Sequence, residues 1–483
     1  MSKPAFSPTL SSLPAALLLA GALSTLSACS LAPTYQRPAA PVAAAYPVNP
    51  AADGTVAPDG AAQAAADTGW RDYFAEPRLQ QLIAAALENN RDLRTAALRI
   101  EEARAQYNIA RADRLPNLNA GVSGTRARSA AATSPTGQAS VGEQYSAGLS
   151  IPAFELDFFG RVRSLNEAAL SSYLATDEAR QAAQISLVGE VAKAYYTERA
   201  YAEQYAIAQQ TLEGRAQTFS LTKQRLEAGA SSRLDLRLNE SLYESARVSA
   251  LTLARQRAQA ENALTLLVGQ APAGAAGGAS ASDATLDAMS ALPAGLPSEL
   301  LARRPDIRAA ELRLKAANAN IGAARAAFFP RISLTAALGS TSAAFSGLFD
   351  SGSGTWSFSP QLALPIFDAG RNRANLSLTE VRKNLAVVDY ERTIQGAFRE
   401  VADALAARAY LADQVTAQRA VQDAQADRLK LLQLRFDNGV ASTLDVLDAQ
   451  RELFTAQQSL VQARLLRTTS AIDLYRALGG GLK

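Results

Sequence analysis

Histidine is missing from the 483-residue chain, and cysteine occurs once, as Cys29. Without histidine, a Ser-His-Asp triad and a zinc site of two cysteines and two histidines are excluded, and a single cysteine excludes an internal disulfide and a redox pair. An enzyme that uses two carboxylates stays open on composition alone, although no acidic pair is placed in a recognisable pocket. The composition therefore argues against an enzyme, and we predict no catalytic, cofactor-binding or metal-binding residue.

Neither charge nor glycine-rich motifs indicate a nucleotide or a nucleic acid. Lys and Arg number 48 against 45 Asp and Glu, a net charge of +3, and no basic stripe with interleaved aromatic residues occurs. The phosphate-binding pattern GxxxxGK[ST] is absent as well. We therefore expect no nucleic-acid partner and no energy-supplying nucleotide site in this chain.

Proline is unevenly distributed, because none of the 20 prolines falls in 153–271 or in 366–483. Proline inside a helix costs about 3 kcal/mol or more, so both stretches are free to form very long helices. A helix from Gly160 to Gly229, or from Gly370 to Gly439, would be about 100 Å long at 1.5 Å per residue.

What the chain does contain begins with a targeting segment. Lys3 precedes an apolar run at 13–26, which ends in LSAC at 26–29. Small residues before a cysteine are typical of a bacterial lipoprotein signal, so we predict a signal peptide at 1–28 and an acylated Cys29. Ser30, where aspartate is absent, indicates export to the outer membrane. An ordinary signal peptide with a chance cysteine is the alternative.

The mature chain then divides into a tether and two repeats. Residues 92–118 align with 306–332 at an offset of 214, and Gly160 aligns with Gly370 at an offset of 210. The difference of four residues must lie between 118 and 157. The predicted organisation is a lipid-anchored extended tether at 29–68, repeat one at 69–270, an Ala-, Gly- and Ser-rich linker at 271–300 and repeat two at 301–483.

Each repeat contains two short stretches that alternate apolar and polar residues. They predict β-hairpins at about 117–156 and about 331–366; in the second, Ile332 and Leu334 alternate with Ser333 and Thr335. Alternation over about ten residues is typical of a transmembrane strand with one face toward lipid. A half-buried strand of a soluble sandwich is the alternative for any one stretch.

Four strands are too few to close a barrel, and hydrocarbon does not tolerate an open sheet edge. If the strands enter a membrane, several copies must complete one barrel together. Two copies would give eight strands, whose side chains fill the interior, whereas three would give twelve and leave a lumen. The predicted fold class is thus mainly α-helical with a two-fold repeat. Four membrane strands per chain would complete a 12-stranded trimeric barrel, continuous with a long α-helical barrel.

One stretch occurs twice, as RLEAGASSRLDL at 225–236 and RFDNGVASTLDV at 435–446. Helix-forming residues flank a glycine in each copy, Gly229 and Gly439, where a helix C-cap needs a left-handed backbone. We expect both copies to form helical hairpins, and we expect the shared residues to encode this turn.

The second copy carries charges that the first copy lacks. Leu444, Asp448 and Arg451 lie at i, i+4 and i+7 on one helix face, with Asp445 beside them. Leu238 stands at the position equivalent to Asp448. A functional cluster and an ordinary Asp448–Arg451 pair on a solvated face explain this pattern equally well, and the residues alone do not decide between them.

Three long motifs resemble the outer-membrane factors of tripartite RND efflux pumps, the TolC/NodT superfamily: LLARRPDIRAAELRLKAANANIGAARAAFFPRISLTA at 300–336, LPIFDAGRNRANL at 364–376 and TLDVLDAQRELFTAQQ at 443–458. The resemblance covers nearly the whole mature chain. It implies a homotrimer with a 12-stranded barrel in the outer membrane, an α-barrel across the periplasm and an equatorial belt that includes 271–300. The implied partners are a periplasmic adaptor, an inner-membrane RND transporter and outer-membrane lipid around acylated Cys29.

The resemblance also assigns roles at the hairpins, since matching positions in the family close the periplasmic entrance. It implies an apolar plug, two acidic rings and a counter-charge, at Leu444, Asp445, Asp448 and Arg451 respectively.

The match is incomplete at the family's latch. Asp235 matches an acidic gate partner, but Phe436 and Ala441 replace the tyrosine and the arginine of the TolC-type latch. We therefore expect closure without that latch.

The function that these features predict is a passive exit duct for drugs and other small toxic molecules, with an iris-like gate. It would be lipid-anchored in the bacterial outer membrane and extend into the periplasm. A duct of the same fold for protein secretion or metal export, and a non-conducting lipoprotein that spans the periplasm, stay open as alternatives.

Overall fold

The computed structural model describes residues 31–47, 68–133, 137–271 and 303–482. The predicted signal peptide at 1–28 and Cys29 lie outside the described residues, as do residues 48–67 of the tether and nearly all of the linker at 271–300. The chain forms two compact units. The first contains the described residues 31–38, Glu101–Ala175 and Glu311–Asp389, and the second contains the other described residues.

The helices of the two repeats correspond in order and in length. Repeat one contains α1 (Trp70–Tyr73), α2 (Pro77–Asn89), α3 (Arg91–Ala112), α4 (Arg161–Glu227) and α5 (Arg233–Val268). Repeat two contains α6 (Pro305–Ala326), α7 (Arg371–Asp437) and α8 (Thr443–Ala477), the counterparts of α3, α4 and α5. Helices α4 and α7 both have 67 residues, about 100 Å at 1.5 Å per residue. The predicted two-fold repeat is confirmed.

None of the helices in the described ranges combines the length and the apolar character that crossing a membrane requires.

In the described part of the chain, one antiparallel sheet holds four strands in the order β1-β2-β3-β4. The strands are β1 (Asn119–Ser129), β2 (Ser140–Leu156), β3 (Arg331–Ser342) and β4 (Gly354–Ala363). Each repeat contributes one hairpin, and the pairing of β2 with β3 joins the two repeats. Among the described residues, β1 and β4 each have one strand neighbour and form the edges of the sheet. The prediction of four strands per chain is confirmed.

The hairpin registers locate three of the four extra residues of repeat one. Asn119 pairs with Ser150 in the first hairpin, and its equivalent Ser333 pairs with Gln361 in the second. From 119 to 333 the offset is 214, and from 150 to 361 it is 211. Repeat one therefore has three more residues between its two paired positions, and they lengthen the strands, since the connection 130–139 is no longer than 343–353.

The fourth extra residue lies in a β-bulge near the end of β2. The register between β2 and β3 shifts between Ile151 and Phe154, which pair with Ala336 and Leu334. Three steps on β2 thus oppose two steps on β3, and Ala153 in the bulge has φ of 43°. Beyond the bulge the offset to repeat two is 210, as Gly160 and Gly370 show.

The second unit has an aromatic core built from α1, α2, α4, α5 and α8. Tyr73 stacks on Tyr475 with ring centroids 4.0 Å apart, and its hydroxyl donates to the carbonyl of Ala471 at 2.9 Å. The apolar side chains around this pair are buried, among them Trp70, Phe74, Leu79, Ile83, Val191 and Ile472. Burying each such large side chain is worth roughly 1.5–3 kcal/mol.

Candidate functional site

The two turns that follow α4 and α7 have the same backbone geometry. Gly229 and Gly439 adopt φ of 74° and 75°. In the first turn Gly229 N donates to the carbonyl of Leu226 at 2.9 Å and Ala230 N donates to that of Arg225 at 2.7 Å. The second turn repeats both bonds at 2.9 and 2.8 Å. This pair of bonds is a Schellman motif, which explains why a glycine stands at both positions.

Matching capping boxes start the helices that follow the turns. The Ser232 hydroxyl accepts from Asp235 N at 3.0 Å, and the Asp235 carboxylate accepts from Ser232 N at 3.2 Å. Ser442 and Asp445 form the same two bonds at 3.2 and 3.0 Å. Hydrogen bonds from the serine hydroxyls hold the pKa of both aspartates below the ordinary value. The repeated stretch thus encodes a turn and a helix start, and the S-x-x-D pattern that signals the box is readable in the sequence.

The second hairpin brings Asp448 together with two arginines. Its carboxylate accepts from Arg451 at 2.5 Å and from Arg428, on the preceding helix α7, at 3.3 Å. Leu444 is 63% exposed. The Asp445 carboxylate is bound to Ser442 rather than to this cluster. The structure therefore shows the predicted Asp448–Arg451 pair and adds Arg428, which the sequence analysis missed because it lies 20 residues away across the turn.

The first hairpin carries neutral residues at the positions of this cluster. Thr218, Leu238 and Ser241 stand where repeat two has Arg428, Asp448 and Arg451. The charge cluster is therefore a property of one hairpin and not of the shared turn.

A buried cation of repeat one lies against the second hairpin. Arg215 of α4 is 6% exposed, and its Nη2 donates to the carbonyl of Leu447 in α8 at 3.3 Å. Burial, and then the charge of Arg451, lower the pKa of its guanidinium. Its Nη1 has no hydrogen-bond partner in the described part of the chain. Repeat two has Gln425 at the equivalent position, so this feature also distinguishes the repeats.

The sheet has two chemically different faces, because directly opposite residues of antiparallel strands share a side. One face is made of small and polar residues, among them Ser123, Thr125, Ser146, Ser150, Thr335, Ser357, Ser359 and Gln361. The other face is mainly apolar, with Val122, Leu149, Leu338, Trp356, Phe358 and Leu362, all exposed in the single chain. Near the hairpin loops this face also carries an Arg126–Glu143 pair at 3.1 Å. An apolar surface of this extent favours contact with hydrocarbon over contact with water.

The first described segment of the tether binds to α6 through a buried carboxylate. Glu311, which is 5% exposed, accepts two hydrogen bonds from Arg37 at 3.2 and 2.6 Å and one from the Tyr35 hydroxyl at 3.2 Å. Burial by itself raises the pKa of Glu311, but the hydrogen bonds from Arg37 and Lys315 outweigh it and leave the pKa below the ordinary value.

Further along α6 the tether comes close to the helix backbone. Asn318 donates from Nδ2 to the carbonyl of Pro33 at 2.7 Å. A Cβ at Gly322 would lie 2.8 Å from the backbone nitrogen of Ala32, so only glycine leaves room for the tether there. We call this row of Glu311, Asn318 and Gly322 the tether groove.

The tether groove is confined to repeat two. The equivalent positions in α3, 214 residues earlier, hold Ala97, Arg104 and Asn108. These residues offer neither the carboxylate nor the space that the tether uses. The sequence analysis predicted an extended tether but missed the groove, because its partners are separated by nearly three hundred residues.

Comparison with known proteins gives consistent matches over almost the whole chain. A family model described as "Outer membrane efflux protein" matches residues 82–270 and 296–480, one match for each repeat. The toluene efflux pump outer membrane protein TtgC of Pseudomonas putida is 49% identical over 457 residues, 94% of this chain and 93% of that protein. Outer membrane protein OprJ of Pseudomonas aeruginosa is 49% identical over 486 residues, 100% of this chain and 97% of that protein. The open state of the Neisseria gonorrhoeae MtrE outer membrane channel matches with a TM-score of 0.82 and 43% identity, over 94% of this chain and 99% of that chain.

Proposed function

The chain belongs to the outer membrane efflux protein family, and on this premise we propose that it forms the exit duct of a tripartite efflux pump. The family is one of channels, which implies that the chain is not an enzyme. Drugs and other small toxic molecules are the proposed cargo, and the toluene named for TtgC supports this class. The duct is passive, so an RND transporter in the inner membrane supplies the energy and a periplasmic adaptor connects the two.

The observation that carries the proposal is the two-faced sheet. Its polar face of Ser, Thr, Gln and Gly suits a water-filled passage, and its apolar face suits lipid. A soluble structural protein would gain nothing from an exposed face that includes Trp356, Phe358 and Leu362.

We propose that three copies complete one barrel. The edge strands β1 and β4 leave backbone groups without a strand neighbour in the described chain, and such groups cost several kcal/mol each in hydrocarbon. Twelve strands close the sheet and leave a passage, whereas the interior of an eight-stranded barrel is filled by side chains. The long helices α4 and α7, which follow β2 and β4 in the chain, would then continue the duct as an α-barrel.

We propose that the second hairpin is the periplasmic gate. The exposed side chain of Leu444 is available to pack at a three-fold axis. Asp448 is held by Arg428 and Arg451, and three-fold symmetry would bring three such clusters close together, where like charges are costly. Asp445 would supply a second acidic ring, and the capping boxes that bind the carboxylates of Asp445 and Asp235 hold the hairpins in shape.

We also propose that Cys29 is acylated and that the tether groove sets the position of this lipid anchor. Only Ser30 separates Cys29 from Leu31, so at most about 7 Å can separate the two residues. Arg325, near the end of α6, donates to the carbonyl of Leu31 at 3.5 Å. Strand β3 begins a few residues later, at Arg331. An anchor held there would sit close to the start of a membrane strand.

Deleting the gene tests the function directly. We expect the deletion to sensitise cells to several structurally unrelated drugs and a plasmid copy to restore resistance. The purified protein should give discrete conductance steps in planar bilayers. Unchanged drug sensitivity would favour a duct for secreted protein or metal, and the absence of conductance would favour a non-conducting lipoprotein.

A further inference from the structure

We infer that β4 of each copy pairs with β1 of the next copy in one continuous register, in which Leu362 lies opposite Val122 of the partner subunit. This inference rests on the proposed trimer, and it adds the residues that meet at each joint between copies. It follows from the internal repeat, because the chain itself contains one joint, by which we mean the pairing of the last strand of one repeat with the first strand of another.

That visible joint is the pairing of β2, the last strand of repeat one, with β3, the first strand of repeat two. A joint between copies would place β4, the last strand of repeat two, beside β1, the first strand of repeat one. Each residue of β2 can therefore be replaced by its equivalent in β4, and each residue of β3 by its equivalent in β1.

The offsets for this replacement come from the structure. From β3 to β1 the shift is 214 residues back, and from β2 to β4 it is 211 residues forward before the bulge and 210 after it. The pairs Leu149–Leu338, Ile151–Ala336 and Phe154–Leu334 then become Pro360–Gly124, Leu362–Val122 and Leu364–Ala120.

The two sides of the bulge give the same register. The two steps from Leu362 to Leu364 match the two steps from Val122 to Ala120, so the joint between copies needs no bulge. Strand β4 lacks the extra residue that β2 carries, and its pairing with β3 is free of register shifts. If the offsets before and after the bulge had given different registers, one residue of β4 or β1 would have had no partner at the contact between copies.

The faces of the sheet provide a second check. A slip of one residue would place polar residues of one copy beside apolar residues of the next. In the inferred register Ser359 lies opposite Thr125 of the partner subunit, on the polar face, while Leu362 and Val122 meet on the apolar face. Near the hairpin loops Phe358 meets Arg126, a pair that suits a cation–π contact.

Disulfide cross-linking in native outer membranes tests the register. We expect Ser359→Cys combined with Thr125→Cys to link copies into covalent dimers and trimers on oxidation. Adjacent pairs alternate between Cα separations of about 5.5 and 4.5 Å, so Leu362→Cys with Val122→Cys tests the other kind of pair. Variants with only one introduced cysteine serve as controls, because any cross-link that they form must involve Cys29 or two copies of the same introduced residue.

Matched controls decide the outcome. Diagonal pairs lie about 7–8 Å apart, so Ser359→Cys with Ser123→Cys or Ala127→Cys should link several-fold less. Ser359→Cys with Thr335→Cys is opposite within the chain and should oxidise without joining copies. The register is overturned if a diagonal pair links best, or if only the internal pair oxidises. Drug resistance of the unoxidised variants is read separately, so a wrong register in a working duct is distinguishable from failure of the proposed function.

Discussion

The two helical hairpins share a backbone and differ in charge. The Schellman turns and the capping boxes match bond for bond, with a glycine at φ near 75° in each. The neutral positions Thr218, Leu238 and Ser241 of repeat one correspond to the charged cluster of repeat two. The residues that turn the chain have therefore been kept in both copies, while those that meet the surroundings have diverged.

Helices α3 and α6 show the same divergence elsewhere in the chain. Both have 22 residues, yet only α6 has the tether groove, and α3 buries none of its described residues. Duplication thus preserved the elements and left each copy free to acquire its own neighbour. Three sets of substitutions test these differences and likenesses between the repeats.

Removing the carboxylate of the charge cluster should have the largest effect. Asp448→Asn leaves Arg428 and Arg451 without their common carboxylate. Each cluster then carries an additional positive charge, so the repulsion between three clusters near the axis grows, and we expect the open-to-closed ratio to rise roughly tenfold. Single-channel recording measures the open probability. Leu238→Asn, the matched change in the first hairpin, should leave it almost unaltered, and an equal effect of both would remove the cluster from the gate.

Removing the carboxylate of the tether groove should have the next largest effect. Hydrogen bonds to charged groups are worth roughly 1.5–3 kcal/mol, and because Arg37 is half exposed we expect Glu311→Ala to cost the lower end of this range in tether binding. A nitroxide attached through Thr34→Cys should become mobile in electron paramagnetic resonance spectra.

Two controls separate this contact from general damage to α6. Ala97→Glu, at the equivalent position of α3, should not change the spectrum. The double variant Arg37→Ala with Glu311→Ala should be no more mobile than Glu311→Ala alone, because Arg37 acts through this carboxylate. Additive effects would mean that the two side chains act separately.

The smallest effects concern the turns, where the two repeats should behave alike. Gly229→Ala and Gly439→Ala should each destabilise the protein by about 1 kcal/mol, because a side chain strains the left-handed backbone. Gly214→Ala should instead stabilise it by about 0.5–1 kcal/mol, since this glycine lies inside α4 with open space around it and Ala424 already occupies the equivalent position. Denaturant unfolding in detergent measures all three, and a stabilising change at either turn would contradict the Schellman assignment.

The sequence could predict the features that depend on neighbouring residues. The absence of proline indicated the helices that became α4 and α7, and the alternation around Ile332 and Leu334 indicated strands, because both signals are local. The offset between the repeats even limited the extra residues to 118–157, where the structure finds three of them before Ser150 and one in the bulge.

The features that depend on distant parts of the chain could not be predicted. Glu311 and Arg37 lie 274 residues apart and meet only because the tether folds back on α6. Arg215 and Leu447 are likewise brought together by the packing of α4 against α8. A charged residue in an amphipathic pattern does not reveal by itself whether its partner is a neighbour or a distant segment.

Because of the bulge at Ala153, two kinds of strand pairing would alternate around the circumference of the proposed barrel. The pairing of β2 with β3 inside each copy would contain the bulge, and the pairing of β4 with β1 between copies would have a regular register. Six hairpins would then form a ring with three-fold rather than six-fold symmetry. A drug in the exit would then pass a wall in which bulged and regular strand pairings alternate. Only the regular pairings would form when separate polypeptides assemble.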